Sequence, residues 1–178
     1  MKKIQLTKKI INKYGKECSF EKKLFEECKE ARKRGFLTKE EFIKICKWKS
    51  PRPTKYYMKN SEENIKEITK RAFSLKYEKK KMELLDSLNG VGVRVASAIL
   101  TVIYPDKYGI IDVRAWNALR NLGIIKGPEK RKNYFSFNDW YRYLKIIKHI
   151  AEKNKTTPRK IDLTLYSFDK KTTTDKIY

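Results

Sequence analysis

An all-α fold is predicted for this chain, and three features of its pattern carry the prediction. Apolar residues recur at helical spacing almost throughout the 178 residues, whereas alternating, strand-like runs are short. Capping residues and glycine or proline stops punctuate the apolar stretches at helix-length intervals.

Residues 4–14 read as a first helix, stopped near Gly15, and a second begins after Ser19 and runs to about Arg34, before Gly35. Thr38 starts a third, because TKEE is a capping box in which Glu41 reaches back to the cap amide. It ends around Trp48, where SPRP places two prolines in the path of the helix. Ser61 or Asn60 caps a fourth, with Ile65, Ile68, Ala72 and Phe73 as its apolar stripe. A fifth, from about residue 77 to 88, leads into NGVG, and a sixth runs from Val93 to about Ile103, stopping before Pro105. Residues 112–122 suit a seventh, FNDWYRYLKIIKHIAEKN an eighth beginning at Ser136, and TPRKIDLTLYSF a ninth with Thr157 as cap and Pro158 in the first turn. The expectation is a trimmed bundle of about nine helices in one domain spanning residues 1–178. GPEKRKN, residues 127–133, is its clearest loop and a candidate boundary between two lobes; there is no internal repeat.

Lys and Arg number 44 against 21 Asp and Glu, a formal net charge of +23. An excess of that size points to a polyanionic partner, and its spread along the chain favours a nucleic-acid face on a folded body over a disordered basic arm. A Lys-rich surface of the kind found in heat-adapted proteins accounts for part of it. No apolar run reaches the roughly 18 residues of a membrane span, and the first residues have neither the apolar core nor the cleavage site of a secretory leader. A cytoplasmic location, no membrane partner and a monomeric chain are expected. Cys18, Cys28 and Cys46 are odd in number and widely spaced, so no disulfide framework, zinc site or other metal or cofactor is expected.

The chemistry concentrates in LNGVGVRVASAILTVIYPDKYGIID, residues 88–112. Gly90 and Gly92 separate two helical patterns by a very short turn. Glycine there permits positive φ and removes the β-carbon, so amides from Asn89, Gly90, Val91, Gly92 and Val93 can approach an anion at the next helix's N-terminus. Such a cradle binds phosphate without reading sequence. The alternative is a tight helix-helix turn whose glycines serve packing alone. Leu85, Leu88, Val91, Val95, Ala96, Ile99 and Leu100 supply the apolar bracket that holds such a hairpin together.

With these flanks the stretch resembles the helix-hairpin-helix motif of DNA-binding proteins. LNGVG, an alanine-containing apolar helix and then IIDVRAW together resemble the helix-hairpin-helix, Gly/Pro, Asp superfamily of base-excision DNA glycosylases, in particular its endonuclease III-like members. The likeness covers residues 84 to about 120. The pattern of WKSPR before the hairpin and PRKIDLTLYSF near the end is similar to small stand-alone bacterial and archaeal proteins. The resemblance implies that the hairpin holds the DNA backbone and that Asp112, which lies 20 residues beyond Gly92, sits at the mouth of a base pocket. An ionised carboxylate there stabilises the oxocarbenium character that develops when an N-glycosidic bond breaks. The bland role for Asp112 is a helix N-cap, and the two roles can coexist. Bifunctional members carry a lysine two positions after the second glycine; Arg94 stands at that position, and a guanidinium is a poor nucleophile. A monofunctional glycosylase without lyase activity is therefore expected. Only about 80 residues precede the hairpin, so the six-helix barrel of the family has to be trimmed.

CKWKSPRP, residues 46–53, is the candidate for a second edge of the site. Trp48, Lys49, Ser50 and Arg52 join an indole, cations and a hydroxyl in a proline-fixed loop, a set suited to stacking and phosphate contact; the alternative is a core tryptophan followed by a solvated turn. Arg114 and Arg120, after Asp112, are candidates for phosphate contact or for ion pairs. Trp116, Trp140 and most of the tyrosines read as core, and His149 as structural. The expected partner is double-stranded DNA, damaged or modified, with RNA second. The rival function is a non-catalytic helix-hairpin-helix nucleic-acid-binding protein.

Overall fold

Local signals set most helix ends. In the computed structural model, which describes residues 6–126 and 134–172, every regular element is helical. The elements are α1 (Lys8–Tyr14), α2 (Ser19–Glu27), α3 (Lys29–Arg34), α4 (Lys39–Lys49), α5 (Thr54–Tyr57), α6 (Glu62–Ser74), α7 (Glu78–Asp86), α8 (Val93–Ile103), α9 (Val113–Asn121), α10 (Phe137–Lys153) and α11 (Pro158–Thr172). The Thr38 hydroxyl accepts from the Glu41 amide while the Glu41 carboxylate accepts from the Thr38 amide at 2.8 Å. Ser61, not Asn60, caps α6, through the Asn64 amide, and Ser136 caps α10. Gly35 ends α3 in the left-handed region.

Two departures from the sequence expectation have local causes. The helix expected from Ser19 to Arg34 breaks into α2 and α3 at Cys28, whose ψ of 1° tightens the turn while its side chain is buried in the core. SPRP does end α4, but the chain re-forms one helical turn as α5, because Pro53 stands at the N-cap, where no backbone donor is missed. Loop 127–133 lies outside the described residues.

At the centre lies α8. Every side chain from Val95 to Ile103 is buried, and the two polar ones, Ser97 and Thr101, turn their hydroxyls onto backbone carbonyls of the same helix. It contacts α2, α3, α4, α7 and α10, while α11 packs on α1, α9 and α10. One apolar cluster runs from Leu6 to Leu165, and the expected bracket of Leu85, Leu88, Val91, Val95, Ala96, Ile99 and Leu100 lies wholly inside it. Trp116 and Trp140 are core, as expected. The tyrosines are not: Tyr57, Tyr108 and Tyr143 are buried, but Tyr56, Tyr77, Tyr134 and Tyr141 are exposed, since a phenol keeps a polar tip that tolerates water. No described helix is long and apolar enough to cross a membrane.

The Thr38 cap is separable from the rest of the fold. Thr38→Ala is expected to lower unfolding free energy by about 1 kcal/mol, read as a shift in the urea midpoint with an unchanged slope.

Candidate charged cleft and nucleic-acid interface

The hairpin between α7 and α8 closes through the Val91 amide, which donates to the Leu88 carbonyl at 3.0 Å. Gly90 takes φ +83°, and a β-carbon there would lie 2.9 Å from the Tyr57 ring, so both conformation and space require glycine. Gly92 differs: it caps α8 with φ −113°, an extended conformation open to other residues. Asn89 is not free for an anion through its amide, which donates to the buried Asn60 Oδ1 at 2.8 Å. Asn60 also donates to the Asn89 carbonyl at 3.1 Å and to the Tyr57 carbonyl at 2.9 Å, locking the hairpin to the chain around α5. The amides of Gly90, Gly92 and Val93 have no partner among the described residues. Three free amide donors therefore remain of the five that the sequence reading expected to face an anion.

From α8 the chain returns to Asp112 along a segment pinned on both sides. The Ile110 amide donates to Asp162 Oδ2 at 2.8 Å and the Ile111 amide to the Ser97 hydroxyl at 3.3 Å. Gly109 precedes them because a β-carbon there would run into Ile147 and the Asp162 side chain. Asp112 then caps α9, its Oδ1 accepting from the Arg114 amide at 3.0 Å. The cap role is therefore real, and it uses one carboxylate oxygen.

The other oxygen faces two cations. Asp112 Oδ2 lies 2.8 Å from Lys49 Nζ and 3.1 Å from an Arg94 terminal nitrogen, with only 5% of the Asp112 side chain exposed. Burial pushes the carboxyl up, but Lys49, Arg94 and the Arg114 amide together outweigh it and hold the group at about 2. Asp112 is thus ionised across the physiological range. The trio carries one net positive charge in a partly desolvated place, which favours an incoming anion.

A cleft of about 360 Å³ opens onto this trio. Trp48, Ser50 and Arg52 line it, so the stretch read as a second edge of the site does stand across from Asp112. Trp48 is half-buried, meets Phe25 edge-on and lies under the Arg159 guanidinium. Trp48 thus packs against the core on one side and borders the cleft. The far wall belongs to α11 and α2, which the sequence reading did not assign to the site: Arg159, Asp162, Leu163, Tyr166 and Glu21. Arg159 spends its guanidinium on three carboxylates, Asp162 at 2.9 Å, Glu21 at 3.2 Å and Glu17 at 3.4 Å. Burial pushes Asp162 up, against the pull of Arg159 and the Ile110 amide, to about 6. The missed signal was an Arg and an Asp three apart on the same stripe as Ile161 and Leu165. Charged residues on an apolar stripe are buried only if paired.

Other candidates separate. Arg114 does not reach toward the cleft: its guanidinium pairs with the buried Asp169 at 3.1 Å and so joins α9 to α11. Val91 is buried and Val93 half-buried, so these residues offer backbone alone. His149 is exposed on α10.

Asp112 leaves a signature in acid. Its folded value, about 2, lies below the ordinary aspartate value of 3.8, so its contribution is fully present above pH 4 and is lost as pH falls toward 2. Urea titrations are expected to show about 2 kcal/mol of stability disappearing over that window. In Asp112→Asn the curve flattens there, and an equal slope in both proteins would contradict the assignment. Comparisons of the chain with models of known protein families, with curated proteins and with solved structures gave no match, so what the cleft does rests on its own geometry.

Proposed function

We propose that this chain binds double-stranded DNA through the hairpin and acts as a DNA glycosylase on a damaged or modified base, with Asp112 as its electrostatic catalyst. The observation that carries the reading is an ionised, nearly buried carboxylate at a cleft that shares Ser50 and Arg94 with the groove where the hairpin glycines lie. A base turned out of the duplex would place its sugar against this trio. As the C1′–N bond breaks, its electron pair leaves with the base and positive charge grows on the sugar ring. Asp112 stabilises that charge, and a water attacking C1′ gives its oxygen to the sugar and its proton to the departing base, which completes hydrolysis.

Lys49 and Arg94 neutralise Asp112 in the absence of a ligand. A phosphate arriving at the hairpin competes for both cations, which turns the carboxylate toward the sugar as DNA seats. Arg94 stays protonated and cannot form an imine, so the hairpin supplies no nucleophile and the product of this reading is an intact abasic site.

One observation favours a second reading, a binder without chemistry: in the free chain both Asp112 oxygens are already engaged. The two separate in one experiment. Duplexes carrying uracil, oxidised purines, alkylated bases or mismatches are incubated with the protein and treated with alkali to break abasic sites. The glycosylase reading expects breaks at one class of lesion, with Asp112→Asn slower by on the order of a hundredfold or more. Salt-sensitive binding with no breaks on any substrate supports the binder.

A further inference from the structure

A polyanion that touches the hairpin amides has two ways onward, and their charges differ. One follows the groove of about 460 Å³ between α7 and the start of α10, lined by Gly90, Gly92, Tyr134, Phe137 and the carboxylates of Glu83 and Asp86. Arg94 also borders it and shares its charge with Asp112. Two carboxylates beside the glycines repel a phosphate chain.

The other way crosses the chain around α5. Residues 51–60 contain Arg52, Lys55 and Lys59 and no Asp or Glu. All three cations are exposed. Among the described residues none of the three has a carboxylate partner, whereas Lys29, Lys33, Lys44 and Arg71 elsewhere do. Both lysines lie over the ring of Tyr56, with ammonium nitrogens 5.1 and 5.4 Å from its centre. Tyr56 itself is 44% exposed, and its β-carbon lies against the place where Gly90 lacks one. One aromatic ring thus holds two ammonium groups beside the hairpin, and Asn60 fixes their distance from it through the hydrogen bonds to Asn89. At its other end the same chain segment begins at Lys49 on Asp112.

We infer that the exposed turn around α5, with Lys55 and Lys59 held over Tyr56, is a second DNA-backbone contact surface, and that the bound strand leaves the hairpin over this turn and not along the groove beside α7. This rests on the proposed DNA-binding reading and adds the path and the residues. The physical content is two phosphate contacts, each releasing counterions.

The test measures anisotropy of a labelled DNA duplex across a potassium chloride series, using the full chain. Wild type is expected to lose affinity steeply with salt. In K55Q/K59Q the slope of log affinity against log salt becomes shallower by about 1.8, two contacts at about 0.9 each on B-form DNA. K55R/K59R restores it, and E83Q/D86N leaves it unchanged. Far-UV circular dichroism verifies that each variant keeps its helix content, and only folded variants enter the comparison. If wild type binds the duplex but K55Q/K59Q keeps the wild-type slope, or E83Q/D86N strengthens binding in its place, the path is wrong and the DNA-binding reading survives. If wild type binds no duplex, or prefers double-stranded RNA at matched salt, the inference and the reading it rests on fall together.

Discussion

The carboxylate of Asp112 ties three helices by charge: α4 through Lys49, α8 through Arg94 and α9 through the Arg114 amide. Taking a carboxylate and two cations largely out of water is costly, and only close pairing repays it. The geometry is close on every side, which is why the carboxyl stays ionised despite its burial. Two cations face one anion, so the trio itself keeps one net positive charge in a largely desolvated place. Removing either cation changes the structure and the site in the same stroke.

A second charged hub supports the first from behind. Arg159 binds carboxylates from α2, from the approach to α2 and from its own helix, and its guanidinium lies over the rings of Phe25 and Trp48. Through Asp162 it reaches the Ile110 amide, two residues before Asp112. The position of the cleft's carboxylate thus depends on both the first helices and the last one. Chain segments far apart in sequence close one small cavity, a consequence of packing α11 against α1 and α9.

Much of this was legible in the sequence. The capping box at Thr38, the helix start at Ser136, the glycine stop at Gly35 and the apolar bracket of the hairpin each follow from local chemistry, and α8 begins and ends where its pattern says. Asp112 as the cap of α9 and the proline stop after α4 were also legible, because an aspartate before a helical pattern and two prolines mark them. The α11 wall was not. Arg159 and Asp162 gain meaning only from Glu17, Glu21 and Ile110, and no local pattern announces partners more than 50 residues away. Arg114 shows the converse: its place beside Asp112 suggested the cleft, but its long side chain spans to Asp169 instead.

The enclosure of α8 carries one more consequence. Amides in a helix with no exposed face exchange with solvent mainly when the whole domain opens, since there is no edge from which to fray. Its first turn carries Arg94, and Ser97 in its second holds the segment that delivers Asp112. The floor of the cleft therefore inherits the global stability of the fold, while the turn around α5 and the Trp48 edge lie on its periphery. Local opening belongs to that rim, and the backbone that carries Asp112 keeps its place until the protein itself unfolds.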